Sequence, residues 1–275
     1  MRYVRTLTQV TAISLALAIG TSTHPSRAAG AIVAGSITNS PPMIAYADDG
    51  TTLQGAIVEL AEAMSKHLPQ PINFKSMPFP GILPALQSRQ IDIAFTLMND
   101  TPKREKVVDF VDFFNISSKP LLRRGNPDHV TDLTSLCGKT VSTVKGSTQL
   151  AVIDDANAKC KELGRPPIDN LQYAQPADAR MQVQTGRAAA FFGMSPVMIY
   201  IGQKRGKIFE AGPGEYQPEP MGIAVPKDET QLRDNLQKAL NAIIADGTYL
   251  KILKKYGVES GAVQSAMING SGHAK

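Results

Sequence analysis

Residues 91–104, IDIAFTLMNDTPKR, hold the residue types best suited to gripping a small anion. Residues 91–96 are apolar and rich in β-formers, so they read as a buried strand. Leu97, Met98, Asn99 and Asp100 break that pattern. Thr101-Pro102 is a helix start: a hydroxyl able to cap free N–H groups, then a ring whose φ suits the first helical position. In an open α/β sheet, ligands collect beyond the carboxyl ends of the strands. Hydroxyls and amides at Thr96 and Asn99, with the guanidinium of Arg104, would receive an anionic group there. A guanidinium presents a planar fork that matches a carboxylate with two parallel bonds. Chemistry of other kinds has no visible apparatus. His67 and His129 fall in surface segments, and there is no CxxC pair or cluster of His. No catalytic residue, metal or cofactor is therefore expected.

The surrounding pattern explains how these groups would be held. Residues 31–36 read as a strand, 37–43 as a loop in which Pro41-Pro42 excludes helix, and 72–76 as a strand. A helix over 55–67 has Ile57, Leu60, Ala61 and Met64 at helical spacing, and 82–88 is a short helix. With the strand at 91–96 this is βαβαβ, for which parallel pairing and right-handed crossovers are the default. After the apolar 107–114 and a new strand at 120–124, a second series follows. It alternates strands 140–144, 170–173, 188–192 and 208–210 with helices 148–163, 177–185 and 196–204. Residues 212–220 (GPGEYQPEP) form a break rich in Gly and Pro. A strand at 221–226 and helices at 229–246 and 248–256 complete the chain. The expected fold is α/β and two-lobed, with two open, mostly parallel sheets. Lobe 1 takes residues 30–119 plus 221–257, lobe 2 takes 120–220, and 258–275 form a flexible tail. Two crossings, near 118–122 and 220–223, would make a hinge with a ligand cleft between the lobes.

Residues 1–29 read as a secretory signal peptide. Arg2 and Arg5 precede an apolar run, and small residues offer a cleavage site. Its removal takes Arg2, Arg5 and Arg27 and lowers the formal charge from +5 to +2. That balance gives no reason to expect nucleic acid as a partner. About 245 residues remain, enough for two lobes of ordinary size. Export permits a disulfide between Cys137 and Cys160, the two cysteines. The strand at 140–144 advances roughly 17 Å. Twelve helical residues return roughly 18 Å and bring Cys160 beside Cys137. The bridge is favoured over two separate buried thiols.

The chain resembles the periplasmic solute-binding proteins of ABC importers, in the branch for polar amino acids (bacterial extracellular solute-binding proteins, family 3; type II periplasmic binding fold). The matching pieces are GAIVELA from Gly55, LPAL from Leu83, TPKR from Thr101, LCGKTV from Leu136, KGSTQ from Lys145, Gly186-Arg187 with FGMSP from Phe192, and GIAV from Gly222. Their order and spacing span about residues 31–257. The resemblance implies a periplasmic receptor that closes over a small carboxylate-bearing solute and hands it to an inner-membrane permease. It implies no enzyme activity, and the receptor is expected to act as a monomer. A sensory or accessory role outside transport is the alternative, and a dehydratase on the same fold is a weaker one. Arg104 matches the family's carboxylate partner. Thr96 and Asn99 match positions that touch the ligand, and Thr148 and Gln149 match the loop that binds the carboxylate from the opposite side, at a helix N-terminus.

The departures bear on the ligand. The family's acid that binds the ligand ammonium stands before Ser-Pro, and here that position is Met194. A thioether cannot offset the desolvation of an ammonium. The aromatic that usually covers the ligand is replaced by Ser40. With Leu97 and Met98 close by, the expected pocket is more open and less acidic than an amino-acid site. Glu215 or Glu219 could replace the missing acid.

Overall fold

The structure, a computed structural model, describes residues 30–272; the signal peptide expected over residues 1–29 lies outside the described residues. In chain order the first part comprises strands β1 (Ile32–Ser36), β2 (Asn39–Ser40), β3 (Ile44–Tyr46) and β4 (Leu53–Gln54), helix α1 (Ala56–Ser65), β5 (Ile72–Ser76), α2 (Phe79–Gln87), β6 (Ile93–Ala94), α3 (Pro102–Glu105) and the long β7 (Val108–Arg123). There follow β8 (Thr140–Val144), α4 (Gln149–Glu162), β9 (Asp169–Tyr173), α5 (Pro176–Gln184), β10 (Ala190–Met194), α6 (Ser195–Lys204), β11 (Phe209–Ala211) and β12 (Tyr216–Pro226). Helices α7 (Thr230–Ala245) and α8 (Thr248–Lys255) and strand β13 (Met267–Ile268) close the chain.

The apolar spacing works as expected in α1, where Ile57, Leu60, Ala61 and Met64 are buried. Gly247, at φ +82°, separates α7 from α8, a backbone state that an L side chain resists. Strands β5, β1 and β6 are parallel neighbours, as are β10, β8 and β9. Between the two sets run β12 and β7, antiparallel to each other and to the strands that flank them.

Two separate sheets are therefore not what forms. Ten strands share one ladder, because β7 and β12 run through both halves. The strand expected to start anew at 120 is instead continuous with the apolar stretch before it, and Pro120 lies inside β7. Proline removes a donor but keeps its acceptor, and the Pro120 carbonyl accepts from Gly212 N at 2.8 Å. The β12–β7 register shifts between Tyr216 and Glu219, and again between Met221 and Gly222, where the sequence suggested a crossing.

The segment after Gly257 is not a loose tail over its described length. Val258 is buried, β13 pairs with β7, and Gly270 N donates to Asp112 Oδ2 at 2.9 Å. Cys137 and Cys160 are joined, with Cα atoms 5.6 Å apart. At the end of β6, Phe95 is fully buried and meets Phe113 edge-on, ring centroids 5.0 Å apart. Such a pair adds about 0.5–1.5 kcal/mol beyond area burial and fixes the loop that follows.

Candidate functional site

The carboxyl ends of β1, β6, β8 and β10 converge on one small cavity of about 40 Å³. At about 10–15 Å³ per water, that is room for roughly three waters. Six of the residues expected from the sequence line it: Ser40, Leu97, Asn99, Thr148, Gln149 and Met194. Ile37 and Asn39 follow β1, and Val144 and Ser147 close the wall from β8. Phe79, Phe191 and Val197 make much of the remainder apolar.

Two expected residues do not reach the wall. Thr96 is fully buried beneath it, and its Oγ1 accepts from Ile37 N at 3.3 Å, which ties the ends of β1 and β6 together. Arg104 is 9% exposed. Its backbone N–H donates to the Thr101 hydroxyl at 3.3 Å, the helix cap expected there. Its guanidinium is taken by main-chain carbonyls: Nη1 donates to Asn99 O at 2.7 Å and Nη2 to Gly146 O at 3.1 Å. The Phe79 ring centroid lies 5.6 Å away. Burial draws the Arg104 pKa down, while the charges of Glu219 and Asp100 oppose that. Glu219 is pushed up by burial, against Arg104 and Thr148. Glu219 Oε2 is buried without a hydrogen-bond partner among the described residues.

Further bonds cross the cavity. Thr148 Oγ1 donates to Asn99 Oδ1 at 3.1 Å, rather than capping α4. Asn39 Nδ2 donates to Gln175 Oε1 at 3.3 Å. Gln149 Nε2 donates to Ser118 Oγ at 2.8 Å and anchors α4 to β7. Neither acid proposed to replace the one absent at Met194 lines the cavity. Glu215 is held by Ser195 Oγ at 2.8 Å and Ser117 Oγ at 2.6 Å.

One residue of the wall was not foreseen. Arg180, on α5, is half-buried and is the only charged side chain lining the cavity among the described residues. It has no hydrogen-bond or ion-pair partner among the described residues. In the sequence it is an ordinary helix arginine, and nothing in PADARMQVQ marks it.

A cavity closed from both sides by strand-end loops, around two long central strands, defines the type II periplasmic binding class. The chain belongs to the bacterial extracellular solute-binding proteins, family 3, whose model matches residues 32–259. It is 28% identical over 243 residues to the arginine-binding protein ArgT of Corynebacterium glutamicum, covering 87% of this chain and 78% of that protein. Among solved structures, an ancestral arginine-binding protein bound to glutamine superposes with a TM-score of 0.75 at 31% identity, covering 84% of this chain and 99% of that one. The ancestral amino acid-binding protein AncCDT-1, a precursor of cyclohexadienyl dehydratase, gives 0.73 at 26% identity, over 82% and 95%.

Proposed function

We propose that the chain is a periplasmic receptor of an ABC import system that closes over a small carboxylate-bearing solute, an amino acid or a similar acid. The residues in contact with it include Ser40, Leu97, Asn99, Thr148, Gln149 and Met194. Residues 30–119 with 221–257 form one lobe and 120–220 the other, and β7 and β12 flex between them. The observation that carries this reading is the set of bonds spanning the cavity: Arg104 to Gly146 O, Thr148 to Asn99, and Asn39 to Gln175. Each joins loops on opposite sides, so each belongs to a closed form and is lost on opening. A solute held between the loops adds affinity for that form alone, which is what drives closure. In this reading Arg104 fastens the loops rather than pairing with the ligand.

The same cavity argues for binding over catalysis. A dehydratase needs a proton donor beside the departing hydroxyl. Among the described residues the cavity wall carries no Asp, Glu or His. The reading further places the protein in the periplasm, with residues 1–29 removed on export.

The test is a thermal-shift screen of amino, keto and hydroxy acids. A ligand at one hundred times its Kd stabilises by about 2.7 kcal/mol, a rise of about 5–10 °C for a protein of this size. A panel in which no carboxylate moves the melting temperature would overturn the receptor reading.

A further inference from the structure

We propose that Arg180 is the residue that holds the ligand's charge, and that the solute is a small monocarboxylate with a short apolar body and no ammonium group. This rests on the receptor reading above and names its ligand class. Two arginines approach the cavity in opposite circumstances. Arg104 gives two N–H groups to carbonyls and has the charges of Glu219 and Asp100 beside it. Arg180 forms no ion pair with an acid among the described residues. Its one resolved charged neighbour is Arg205, and that repulsion adds to burial in lowering its pKa. A half-buried guanidinium without a counter-charge is costly unless an anion arrives. A carboxylate supplies that charge in the geometry a guanidinium prefers.

The rest of the wall restricts the ligand further. An ammonium entering beside Arg180 would meet a like charge and find no acid in the wall among the described residues. The Ser147 hydroxyl and Asn39 Oδ1 are both buried without hydrogen-bond partners among the described residues, and both residues line the cavity. They offer places for a carboxylate oxygen and for one neutral polar group. The apolar remainder and the small volume suit a short hydrocarbon body. Arg180 also faces an outer groove that carries Lys204 and Arg205 and no acidic side chain. Such a groove concentrates anions at the entrance and makes their capture sensitive to salt.

The experiment is calorimetric titration of the full exported chain with matched pairs: pyruvate or lactate against L-alanine, and 2-oxobutyrate against L-2-aminobutyrate. L-Arginine, L-histidine and L-glutamine complete the panel. The proposal expects a keto or hydroxy acid to bind at least tenfold more tightly than its amino partner. Arg180→Ala and Arg180→Gln should each weaken binding about 100-fold while melting as cooperatively as wild type. Weakening of wild-type binding as salt rises from 20 to 300 mM gives a readout that needs no variant. Amino acids binding as tightly as their partners, or binding unchanged in Arg180→Gln, would overturn the proposal and leave the receptor reading standing. No binding by any member of the panel would overturn both.

Discussion

At the scale of single residues, the contrast between Arg104 and Arg180 governs what the site can hold. Arg104→Ala would strip two charge-assisted bonds from the carbonyls of Asn99 and Gly146, at about 1.5–3 kcal/mol each. We expect chemical denaturation to show a loss of about 3 kcal/mol or more. Arg104→Lys should recover little of it, since a point charge cannot serve both carbonyls as a planar fork does. Met194→Asp makes the opposite change at the cavity wall. It places an acid where an ammonium would sit, so titration should show amino-acid affinity rising about tenfold and affinity for an unsubstituted carboxylate falling. Much at this scale was readable beforehand. Thr101 caps α3 as its position before Pro102 suggested, and six of the eight expected ligand residues share the cavity. What sequence could not supply was the partner set of each guanidinium. Gly146 O lies 42 residues from Arg104, and Arg180 looks like any solvated helix arginine until α5 is packed against the strand ends.

At the scale of elements, two attachments are open to measurement. The Cys137–Cys160 bridge closes a loop with a sequence separation of 23. In the chain-entropy model it contributes about 3 kcal/mol, so reduction should lower the denaturation midpoint by a corresponding amount. The C-terminal segment docks on a group of acids: Ser271 N donates to Asp100 Oδ2 at 3.2 Å and its hydroxyl to Glu105 Oε1 at 2.6 Å. Burial first, then the charges of Asp112 and Glu105, push the Asp100 pKa up to about 8. Burial likewise raises Asp112 to about 6. An acid whose folded pKa exceeds its unfolded value stabilises fully below the unfolded pKa, and that stability is lost as pH rises through the folded one. The melting temperature should therefore fall between about pH 4 and pH 8, and Asp100→Asn should flatten that slope. A melt of the variant as steep with pH as wild type would contradict this assignment. The element types were largely legible: β5 has the bounds read for it, and the disulfide followed from strand and helix lengths. The continuity of β7 through Pro120 and the pairing of β13 were not. Proline and glycine signal local breaks, while the carbonyl pairing and the docked Gly270 come from distant parts of the chain.

For the whole molecule, the order of elements pointed to two α/β units meeting at a cleft, and the family confirms the class of fold. The single ladder through β7 and β12 was hidden because strand pairing in the middle of the sheet is antiparallel and non-local. Mechanically it matters for the proposed receptor, whose opening would bend two long strands at their register shifts rather than swing two free linkers. The central claim is that a small carboxylate drives the open form to the closed one. Small-angle scattering of the exported chain, with and without a saturating carboxylate chosen by thermal shift, measures this directly. The account predicts a smaller radius of gyration with ligand, and a profile that then matches the closed structure. An unchanged radius at saturation would contradict it.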